Sequence, residues 1–414
     1  MLEHFLAGGE FQIEGLALDQ ILAGHPTPVY AYSAARVRAN LRRVQAHLPG
    51  FEVFYSLKPN PSLALCGVLA RAGSSAEVSS LGELQTAVRA GFRPEQILLV
   101  GPVKTPEEIA FAVEQGVYAL VAESAQELAG IETEARRAGR RVRVLLRVNT
   151  ESGPEAPEVM VGGPSKFGFD EETLVEEVRQ VDLRAAYLGG FQVYAASQVL
   201  DAAWIAGHFA HVSSLARELA ERLGFAVECL DFGGGFGVPY TPDDPELDLE
   251  VVAAAAERVR QEWPAPVRLV VELGRYLVAD AGVYLTRVVR VKQSRGVGYV
   301  ITDGGMHGFS RPAFMRTEHP IRIVSRPAAP PTGPFRVCGR CCTPLDVLGE
   351  AVPLPLPAPG EVLGVFNAGA YGLSMSLVGF MSFGAPAELL VDGGAVRVIQ
   401  PARGPSDLLA GQTL

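Results

Sequence analysis

The feature that most constrains the fold is an alternation of short apolar runs with longer amphipathic stretches between residues 51 and 274. The short runs are rich in Val, Leu, Ile and aromatic residues, and the longer stretches carry Ala, Leu, Glu and Arg at helical spacing. Seven helices would link eight strands, and a further helix, Ala34–His47, would precede the first strand. The expected strands are Phe51–Lys58, Ser75–Ser79, Ile97–Gly101, Ala119–Glu123, Val142–Asn149, Leu188–Tyr194, Cys229–Gly233 and Arg268–Gly274.

Eight buried strands in about 225 residues fit a closed barrel better than an open sheet. We therefore predict an α/β protein whose residues 29–275 form a (β/α)8 TIM barrel. After Arg275 the sequence changes to β-branched stretches without long helices, separated by Pro-rich turns. This texture predicts a C-terminal all-β domain, a β-sandwich or β-barrel-like unit made of residues 276–414 together with residues 1–28.

The composition argues against several classes of protein. Lys and Arg number 36 and Asp and Glu 46, so the net charge of −10 disfavours binding to nucleic acid or to an anionic membrane. Five cysteines are too few for a disulfide framework in 414 residues, and no Cys or His spacing indicates a metal site. Because no run of about 18 apolar residues and no signal-peptide pattern is present, we expect a cytoplasmic protein.

Lys58 is the first candidate for chemistry. Reactive residues of such a barrel stand at the carboxyl ends of its strands, and Lys58 ends the first strand in FYSLKPN. An amine among apolar neighbours would have a lowered pKa and could form a Schiff base with a carbonyl group. The alternative is a surface lysine without a chemical role.

Two further strand ends carry residues suited to binding a cofactor. Strand seven closes in LDFGGGFGVPY, where three consecutive glycines would let backbone N–H groups approach a phosphate. Strand eight ends in VVELGRY, where Glu272 could hold a pyridine nitrogen protonated or could simply pair with Arg275. An amine, a phosphate cradle and a carboxylate together match the aldehyde, phosphate and ring nitrogen of pyridoxal 5'-phosphate, which we expect as the cofactor.

These motifs, with NAGAYG and CGRCCTPLD, resemble those of the barrel-type (fold type III) pyridoxal-phosphate decarboxylases that act on diaminopimelate, ornithine and arginine, enzymes with an alanine racemase-like fold. The resemblance, which covers nearly the whole chain, implies that Lys58 binds the cofactor covalently, that Glu272 faces the pyridine nitrogen and that Cys342 is the acid near Cα. The cysteine segment would cross the interface of a head-to-tail homodimer into the partner's active site, whereas the alternative for Cys342 is a buried structural thiol. The residues that the resemblance assigns to cofactor binding are Lys58, Glu77, Arg147, Tyr194, Ser197, Gly234, Gly235, Glu272, Gly274, Arg275 and Tyr371.

Three departures from the family pattern concern the cofactor ring and the substrate. The acid that follows the active-site cysteine and pairs with the substrate's distal ammonium is replaced by Thr343. Tyr194 stands where the family has a histidine stacked on the cofactor, and the substrate-binding Arg-Pro-x-x-Tyr segment keeps Arg311 but has Met315 as its last residue. Because a hydroxyl cannot replace a charge-assisted bond, a substrate with a distal ammonium is disfavoured.

With these departures, the sequence is similar to the butirosin-type decarboxylases, which act on a glutamyl group held on an acyl-carrier protein. It is also similar to decarboxylases associated with exosortase gene clusters. We therefore predict decarboxylation of an L-amino acid, with a carrier-tethered glutamyl group as the leading substrate and diaminopimelate or another free amino acid as the alternative. An amino-acid racemase and a catalytically inactive binding homologue are less favoured. An acidic carrier would need a basic surface, for which the candidates are Arg311, Arg316, Arg322 and Arg326.

Overall fold

The computed structural model describes residues 2, 4–151 and 158–414, and in it the chain divides into two compact units. One unit contains Arg38–Val238 and Glu246–Leu277. The other contains the residues up to Val37, together with Pro239–Pro245 and Val278–Leu414.

The first unit is the expected barrel. Its eight strands are all parallel, and the sheet closes because the first strand pairs with both the second and the eighth, with Phe54 opposite both Ser75 and Glu272. The barrel strands, labelled β1 to β8 in chain order, are Phe51–Ser56, Ser75–Val78, Ile97–Leu99, Ala119–Ala122, Val142–Asn149, Ala186–Gln192, Cys229–Gly234 and Arg268–Leu273. Their inward side chains form a buried apolar cluster that includes Phe54, Val121 and Val270.

Seven helices connect the barrel strands, as the helical spacing predicted. Their ends follow local sequence chemistry: the side chain of Ser80 accepts the N–H of Glu83 where one helix begins, and Gly91 ends that helix with a left-handed backbone of φ 97°. The helices, labelled α1 to α7, are Leu63–Arg71, Leu81–Ala90, Pro106–Gln115, Ala125–Ala138, Leu174–Arg179, Ala202–Leu223 and Leu249–Glu262. Short strands at Glu158–Val159, Phe169–Asp170 and Ala196–Ser197 and a 3-10 turn at Pro94–Gln96 lie between these elements.

The second unit is dominated by one large sheet, which confirms the expected β domain. Along that sheet the strands run Val347–Leu354, Gly333–Cys338, Val297–Thr302, Gly282–Ser294, Val29–Ser33, Ala387–Asp392 and Ala395–Gln400. Val362–Val365 pairs with Gly282–Ser294 and with Ile321–Ile323. A smaller sheet comprises Leu6–Ala7, Glu10–Ile13 and Leu16–Ala17, and a buried cluster that includes Phe5, Phe11 and Phe366 forms the core.

The remaining helical segments are short, apart from Ala34–His47 before β1. They are Leu18–Ile21, Arg275–Val278, Ala279–Ala281, Arg311–Met315, Leu373–Met375, Phe380–Ser382 and Pro405–Leu409. No helix in the described part of the chain has the length and apolar character needed to cross a membrane.

One strand lies on the other side of the division from where the sequence expectation placed it. Val29–Ser33, assigned to a barrel beginning at residue 29, pairs instead with Gly282–Ser294 and with Ala387–Asp392 in the large sheet of the second unit. All five of its residues are buried, so it shows no alternation that would distinguish it from a barrel strand.

Candidate active site

Lys58 follows β1 and points its amine at a buried carboxylate. Its Nζ donates to both carboxylate oxygens of Glu77 at 2.5 Å and lies 3.4 Å from Ser56 Oγ. Glu77, on β2, is fully buried and also accepts a hydrogen bond from Ser79 Oγ at 2.9 Å. Since the Lys58 side chain is 42% exposed while Glu77 is not exposed at all, the amine can be reached by a ligand and its counter-ion cannot.

The pKa of Lys58 moves in the direction opposite to the sequence expectation. Burial of the amine would lower its pKa, but the negative charges of Glu77 and Glu272 more than offset this, so the pKa of Lys58 is raised. The expectation of a lowered pKa was therefore wrong, because the neighbours that matter are acidic rather than apolar. In this state Lys58 is an ammonium held by Glu77.

Glu272 stands near the end of β8 and is 2% exposed. Gln192, at the end of β6, donates from Nε2 to both Glu272 oxygens at 3.3 and 3.2 Å. Burial and the charge of Glu77 raise the pKa of Glu272 to about 7, although Lys58 acts in the opposite direction. Glu272 is thus an acid whose protonation changes near neutral pH.

The glycine run ends β7, and its glycines are required by close packing of backbone on backbone. A Cβ on Gly234 would lie 1.7 Å from the carbonyl oxygen of Glu272, and one on Gly235 would lie 2.0 Å from that of Ala196. Gly235 also has φ 89°, a conformation that favours glycine. The run therefore brings the end of β7 against both neighbouring segments.

Ser197 and Arg275 add a hydroxyl and a guanidinium, and both side chains are buried. Arg275 Nη2 donates to Ser197 Oγ at 3.2 Å. Gly274, just before Arg275, packs against Pro59 so closely that a Cβ there would lie 2.5 Å from Pro59 Cγ. This contact joins the segment after β8 to the segment that carries Lys58.

Two other expected cofactor residues lie in the same unit. Arg147, on β5, is buried and donates to Glu123 Oε1 at 3.0 Å, and its charge acts on Glu272. Tyr194 is half-buried and adds to the raised pKa of Lys58. The barrel thus brings Lys58, Glu77, Tyr194 and Glu272 into one electrostatic cluster.

The second unit contains the expected substrate arginine. Arg311 is 3% exposed, and its guanidinium carbon lies 5.2 Å from the ring centroid of Tyr240 and 5.6 Å from that of Tyr371. Tyr371 has φ 55°, an uncommon backbone conformation for a residue other than glycine. Met315 ends the short helix Arg311–Met315 and is 43% exposed.

The cysteine segment presents one thiol outward and one inward. Cys342 is exposed, and its backbone N–H donates to the Met381 sulfur at 3.0 Å, so it is not the buried structural thiol weighed as its alternative. Cys341 is buried, with its sulfur 3.4 Å from His307 Nδ1. Thr343 is half-buried, and its hydroxyl oxygen accepts the N–H of Leu345 at 3.3 Å.

The four arginines expected to form a basic surface do not share one. Arg311 is buried, and Arg326 is bound to Glu361, which neutralises it. Arg322 is half-buried and donates to the carbonyl oxygen of Ile321 at 2.9 Å, so Arg316 is the one exposed arginine of these four. That expectation was wrong, because position in the sequence does not show which arginines point inward.

Sequence reasoning missed two residues that organise the site in the barrel and one that organises the cysteine segment of the second unit. Asp231 is fully buried on β7 beside Glu272, Gln192 holds Glu272 in place, and Asp346 accepts the N–H groups of Met306 and Cys341, each at 2.6 Å. Asp231 and Asp346 belong to motifs already singled out, LDFGGG and CCTPLD, and a carboxylate in an apolar run was the available signal. Gln192 had no comparable signal.

The donor set of the barrel fits pyridoxal phosphate. An accessible amine just after β1 and a buried carboxylate on the neighbouring strand β8 provide two of the expected groups, and a buried hydroxyl and guanidinium provide the chemistry for a phosphate. Gln192 Oε1 is buried and receives no hydrogen bond from any described residue. A parallel barrel with these groups at the carboxyl ends of its strands defines an enzyme of the pyridoxal-phosphate class.

The comparisons with known proteins narrow the class to a family. Residues 34–279 match the family model described as "Pyridoxal-dependent decarboxylase, pyridoxal binding domain", and the chain belongs to this family. It is 34% identical over 404 residues to the L-glutamyl-[BtrI acyl-carrier protein] decarboxylase of Niallia circulans, covering 93% of this chain and 94% of that protein. It is 32% identical over 424 residues to the diaminopimelate decarboxylase of Methanothermobacter thermautotrophicus, covering 99% of this chain and 96% of the relative.

Solved structures agree with this assignment. Diaminopimelate decarboxylase of Helicobacter pylori complexed with L-lysine has a TM-score of 0.85 at 28% identity and covers 94% of this chain and 98% of its own. The diaminopimelate decarboxylase of M. jannaschii in complex with L-lysine has a TM-score of 0.88 at 27% identity, covering 99% and 97%. The chain is therefore a pyridoxal-phosphate-dependent decarboxylase with a TIM barrel and a β domain.

Proposed function

We propose that this decarboxylase removes the α-carboxyl group from an L-amino acid whose side chain has no distal ammonium, with a glutamyl group on an acyl-carrier protein as the leading substrate. The observation that carries the proposal is Thr343, which follows Cys342 where the related diaminopimelate and ornithine enzymes would have an acid. A relative 34% identical is named for a glutamyl-carrier substrate, which supports the same choice.

No other carboxylate of the cysteine segment can replace the missing acid. Between residues 338 and 349 the only acidic residue is Asp346. Asp346 is 3% exposed, and both of its carboxylate oxygens accept backbone N–H groups, from Met306 and from Cys341. A distal ammonium buried here without its carboxylate would lose roughly 3–5 kcal/mol, the cost of breaking a buried pair.

The barrel residues have separate proposed roles. When bound, pyridoxal phosphate supplies an aldehyde for the substrate amine and a ring that accepts the electron pair left by carbon dioxide. Lys58 provides the amine that holds the cofactor, and Glu77, at 2.5 Å, orients that amine and keeps it an ammonium until the cofactor binds. Glu272 would keep the ring nitrogen protonated.

The remaining roles concern the phosphate, the ring and the final proton transfer. Ser197, Arg275 and the glycine run Gly233–Gly235 would hold the phosphate. Tyr194 would stack on the ring. Cys342, whose thiol is exposed, would donate the proton that Cα receives after carbon dioxide leaves.

We also propose that the chain works as a cytoplasmic head-to-tail homodimer in which Cys342 enters the partner's active site. Exposed apolar side chains cluster around this cysteine: Leu345 is 56% exposed, Met381 43% and Phe380 37%. The hydrogen bond from the Cys342 N–H to the Met381 sulfur brings Met381, which follows Phe380 in the sequence, to the cysteine segment that also carries Leu345. Such a surface suits burial between subunits, and five free thiols suit a reducing compartment.

Diaminopimelate is the second candidate substrate, and one observation favours it. Arg311 is buried against Tyr240 and Tyr371, a setting that suits recognition of a carboxylate rather than a surface for an acidic carrier. Because the expected basic surface is absent from the positions named for it, a small free acid remains the alternative to a carrier-bound glutamyl group.

A substrate comparison with a charge-restoring variant separates the two candidates. Wild-type protein with pyridoxal phosphate is incubated with glutamyl-carrier protein, free glutamate and diaminopimelate, and products are measured by mass spectrometry. We expect turnover of the carrier-bound glutamyl group, and we expect Thr343→Glu to gain activity on diaminopimelate while Thr343→Ser behaves as wild type. Turnover of diaminopimelate by the wild type at about 1 per second or faster would overturn the assignment based on Thr343.

A further inference from the structure

Asp231 is a buried acid beside Glu272 that the roles above do not use. It lies on β7 with no exposed surface, and its Oδ1 accepts the N–H of Gly233 at 2.9 Å. No described N–H or O–H group donates to its Oδ2, which is also buried. Glu272 lies on the adjacent strand, and the two carboxyl groups are close enough for each to shift the pKa of the other.

Two adjacent carboxyl groups can form a hydrogen bond only if one of them carries a proton. If both carboxyl groups were ionised in this buried site, they would repel each other strongly. Other buried carboxyl pairs avoid this repulsion by sharing one proton. The other ionisable groups around the pair do not supply a spare positive charge, because Lys58 is held by Glu77 and Arg147 by Glu123. The Cys229 thiol, two residues before Asp231, has a raised pKa and stays neutral.

The hydrogen-bond donors around the pair indicate which group holds the proton. Gln192 donates to both oxygens of Glu272, so the Glu272 carboxylate is stabilised in its ionised form. Asp231 receives only the single N–H of Gly233 among the described groups. Burial and the charge of Glu272 raise the pKa of Asp231 well above its usual range, in the same direction as the geometry.

We propose that Asp231 is a positioning residue that holds a proton and donates it in a hydrogen bond to Glu272, so that the pair carries one negative charge, located on Glu272. Its value to the enzyme rests on the proposed function, in which Glu272 faces the ring nitrogen of the cofactor. A neutral Asp231 fixes the position of the Glu272 carboxylate and leaves the negative charge of the pair on Glu272. An ionised Asp231 would raise the pKa of Glu272 further and promote its protonation.

The direct test is the infrared band of a protonated carboxyl in the full chain without cofactor at about pH 8, where carboxyl groups with ordinary pKa values are ionised. The wild-type spectrum should contain a band that shifts when aspartate is 13C-labelled and that disappears in Asp231→Asn. The control Glu132→Gln replaces a buried carboxyl that accepts the N–H groups of Ala185 and Ala186, and it should keep the band. Absence of an aspartate-derived band in the wild type overturns the proposal whether or not the enzyme decarboxylates anything.

A second measurement uses cofactor binding to separate proton holding from mere structure. Asparagine can donate from its amide to Glu272 and still accept from Gly233, so Asp231→Asn should bind pyridoxal phosphate within about threefold of wild type. Asp231→Ala removes the donor and should weaken binding about tenfold, the effect of one pKa unit. If Asp231→Asn weakens binding as much as Asp231→Ala, the ionised form is required and the proposal fails.

The same pair gives a sign for the pH dependence of stability. Folding raises the pKa of Glu272 from 4.5 to about 7, so its contribution to the free energy of unfolding is fully present below pH 4.5 and is lost as the pH rises through about 7. Replacing Asp231 by Asn removes one acid of the pair. The melting temperature of the cofactor-free variant should therefore decrease less between about pH 5 and 8 than that of the wild type. An unchanged slope would contradict a shared proton.

Discussion

Lys58 shows how a single buried carboxylate decides the state of a reactive amine. Its place after β1 was predictable from FYSLKPN, because a lysine before proline at a strand end is easily recognised. Its charge was not, because Glu77 lies 19 residues away on β2 and only the pairing of β1 with β2 places that carboxylate 2.5 Å from the amine. Position along one strand is visible in a sequence, whereas the partner across strands depends on register.

The Lys58–Glu77 pair predicts a specific effect of removing the carboxylate. In Glu77→Gln the largest influence that raises the pKa of Lys58 is absent while burial still lowers it, so the pKa should fall and the neutral amine become more abundant at pH 7. Each unit of decrease raises that fraction about tenfold. The measurement is the initial rate at which the cofactor-free variant reacts with pyridoxal phosphate, followed by absorbance near about 420 nm.

The control for this experiment is Ser79→Ala, which removes a hydrogen bond to Glu77 but leaves its charge. It should react at nearly the wild-type rate. The account of Lys58 is wrong if Glu77→Gln reacts at the wild-type rate across pH 6–9, a range of about three units over which the amine fraction should change a thousandfold.

The sequence analysis identified the glycine run correctly but gave only part of the reason for its glycines. We expected the glycines to expose N–H groups to a phosphate, yet a Cβ on Gly234 would collide with the carbonyl oxygen of Glu272 at 1.7 Å. Close approach of β7 to β8 therefore requires glycine at this position independently of any ligand. A sequence shows that glycine is needed, and the structure shows what comes near.

At the scale of elements, the alternation of strands and helices was sufficient to predict the barrel. The helix Ala125–Ala138 begins after Ser124, whose side chain accepts the N–H of Glu127, and it ends at Gly139 with φ 62°. Such local chemistry is readable in order along the chain. The strand Val29–Ser33 was not, because its pairing with Gly282–Ser294 joins segments about 250 residues apart.

An aromatic ring between two arginines closes the barrel at the end opposite the reactive residues. Tyr118, just before β4, lies with its ring centroid 4.4 Å from the guanidinium carbon of Arg143 and 4.0 Å from that of Arg268. Arg143 is also ion-paired with Glu228 at 2.8 Å, so its guanidinium is held by the Glu228 carboxylate as well as by the Tyr118 ring. These residues lie at the amino ends of β4, β5 and β8, where side chains serve stability rather than chemistry.

Replacing Tyr118 by Leu should lower the free energy of unfolding by about 1–2 kcal/mol, because two contacts between cation and ring are lost while apolar bulk remains. Tyr118→Phe keeps the ring and should lose much less. Urea denaturation gives both values, and decarboxylase activity should stay at the wild-type level in both variants. Equal stability of the Leu and Phe variants would show that the ring contributes nothing beyond its volume.

At the scale of the whole molecule, the distribution of charge and apolar surface matters more than the totals. The net charge of −10 was known from the sequence, but the burial of Arg311 and the pairing of Arg326 with Glu361 were not. The exposed apolar residues are similarly informative only once their neighbours are known. The surface of Leu345, Phe380 and Met381 around Cys342 is the one for which a subunit partner is proposed.

Analytical sedimentation tests whether the chain forms the proposed homodimer. Wild-type protein at micromolar concentration should sediment at twice the mass of one chain, because the exposed apolar surface would be buried between subunits. Met381→Glu should shift the population to single chains and reduce activity with it. Val103→Glu, at a residue 74% exposed in the barrel unit, should change neither property. A wild-type protein that is fully active as a single chain would contradict the shared active site.

Release of carbon dioxide by wild type and Lys58→Ala, each saturated with pyridoxal phosphate, tests the central claim most directly. With candidate amino acids and glutamyl-carrier protein, the wild type should release carbon dioxide from a substrate without a distal ammonium. Lys58→Ala should be slower by at least about a thousandfold and should lack the absorbance near about 420 nm, because no other described residue places an amine beside Glu77 and Glu272. Undiminished release of carbon dioxide by Lys58→Ala, or racemisation of the substrate without such release by the wild type, would contradict the claim.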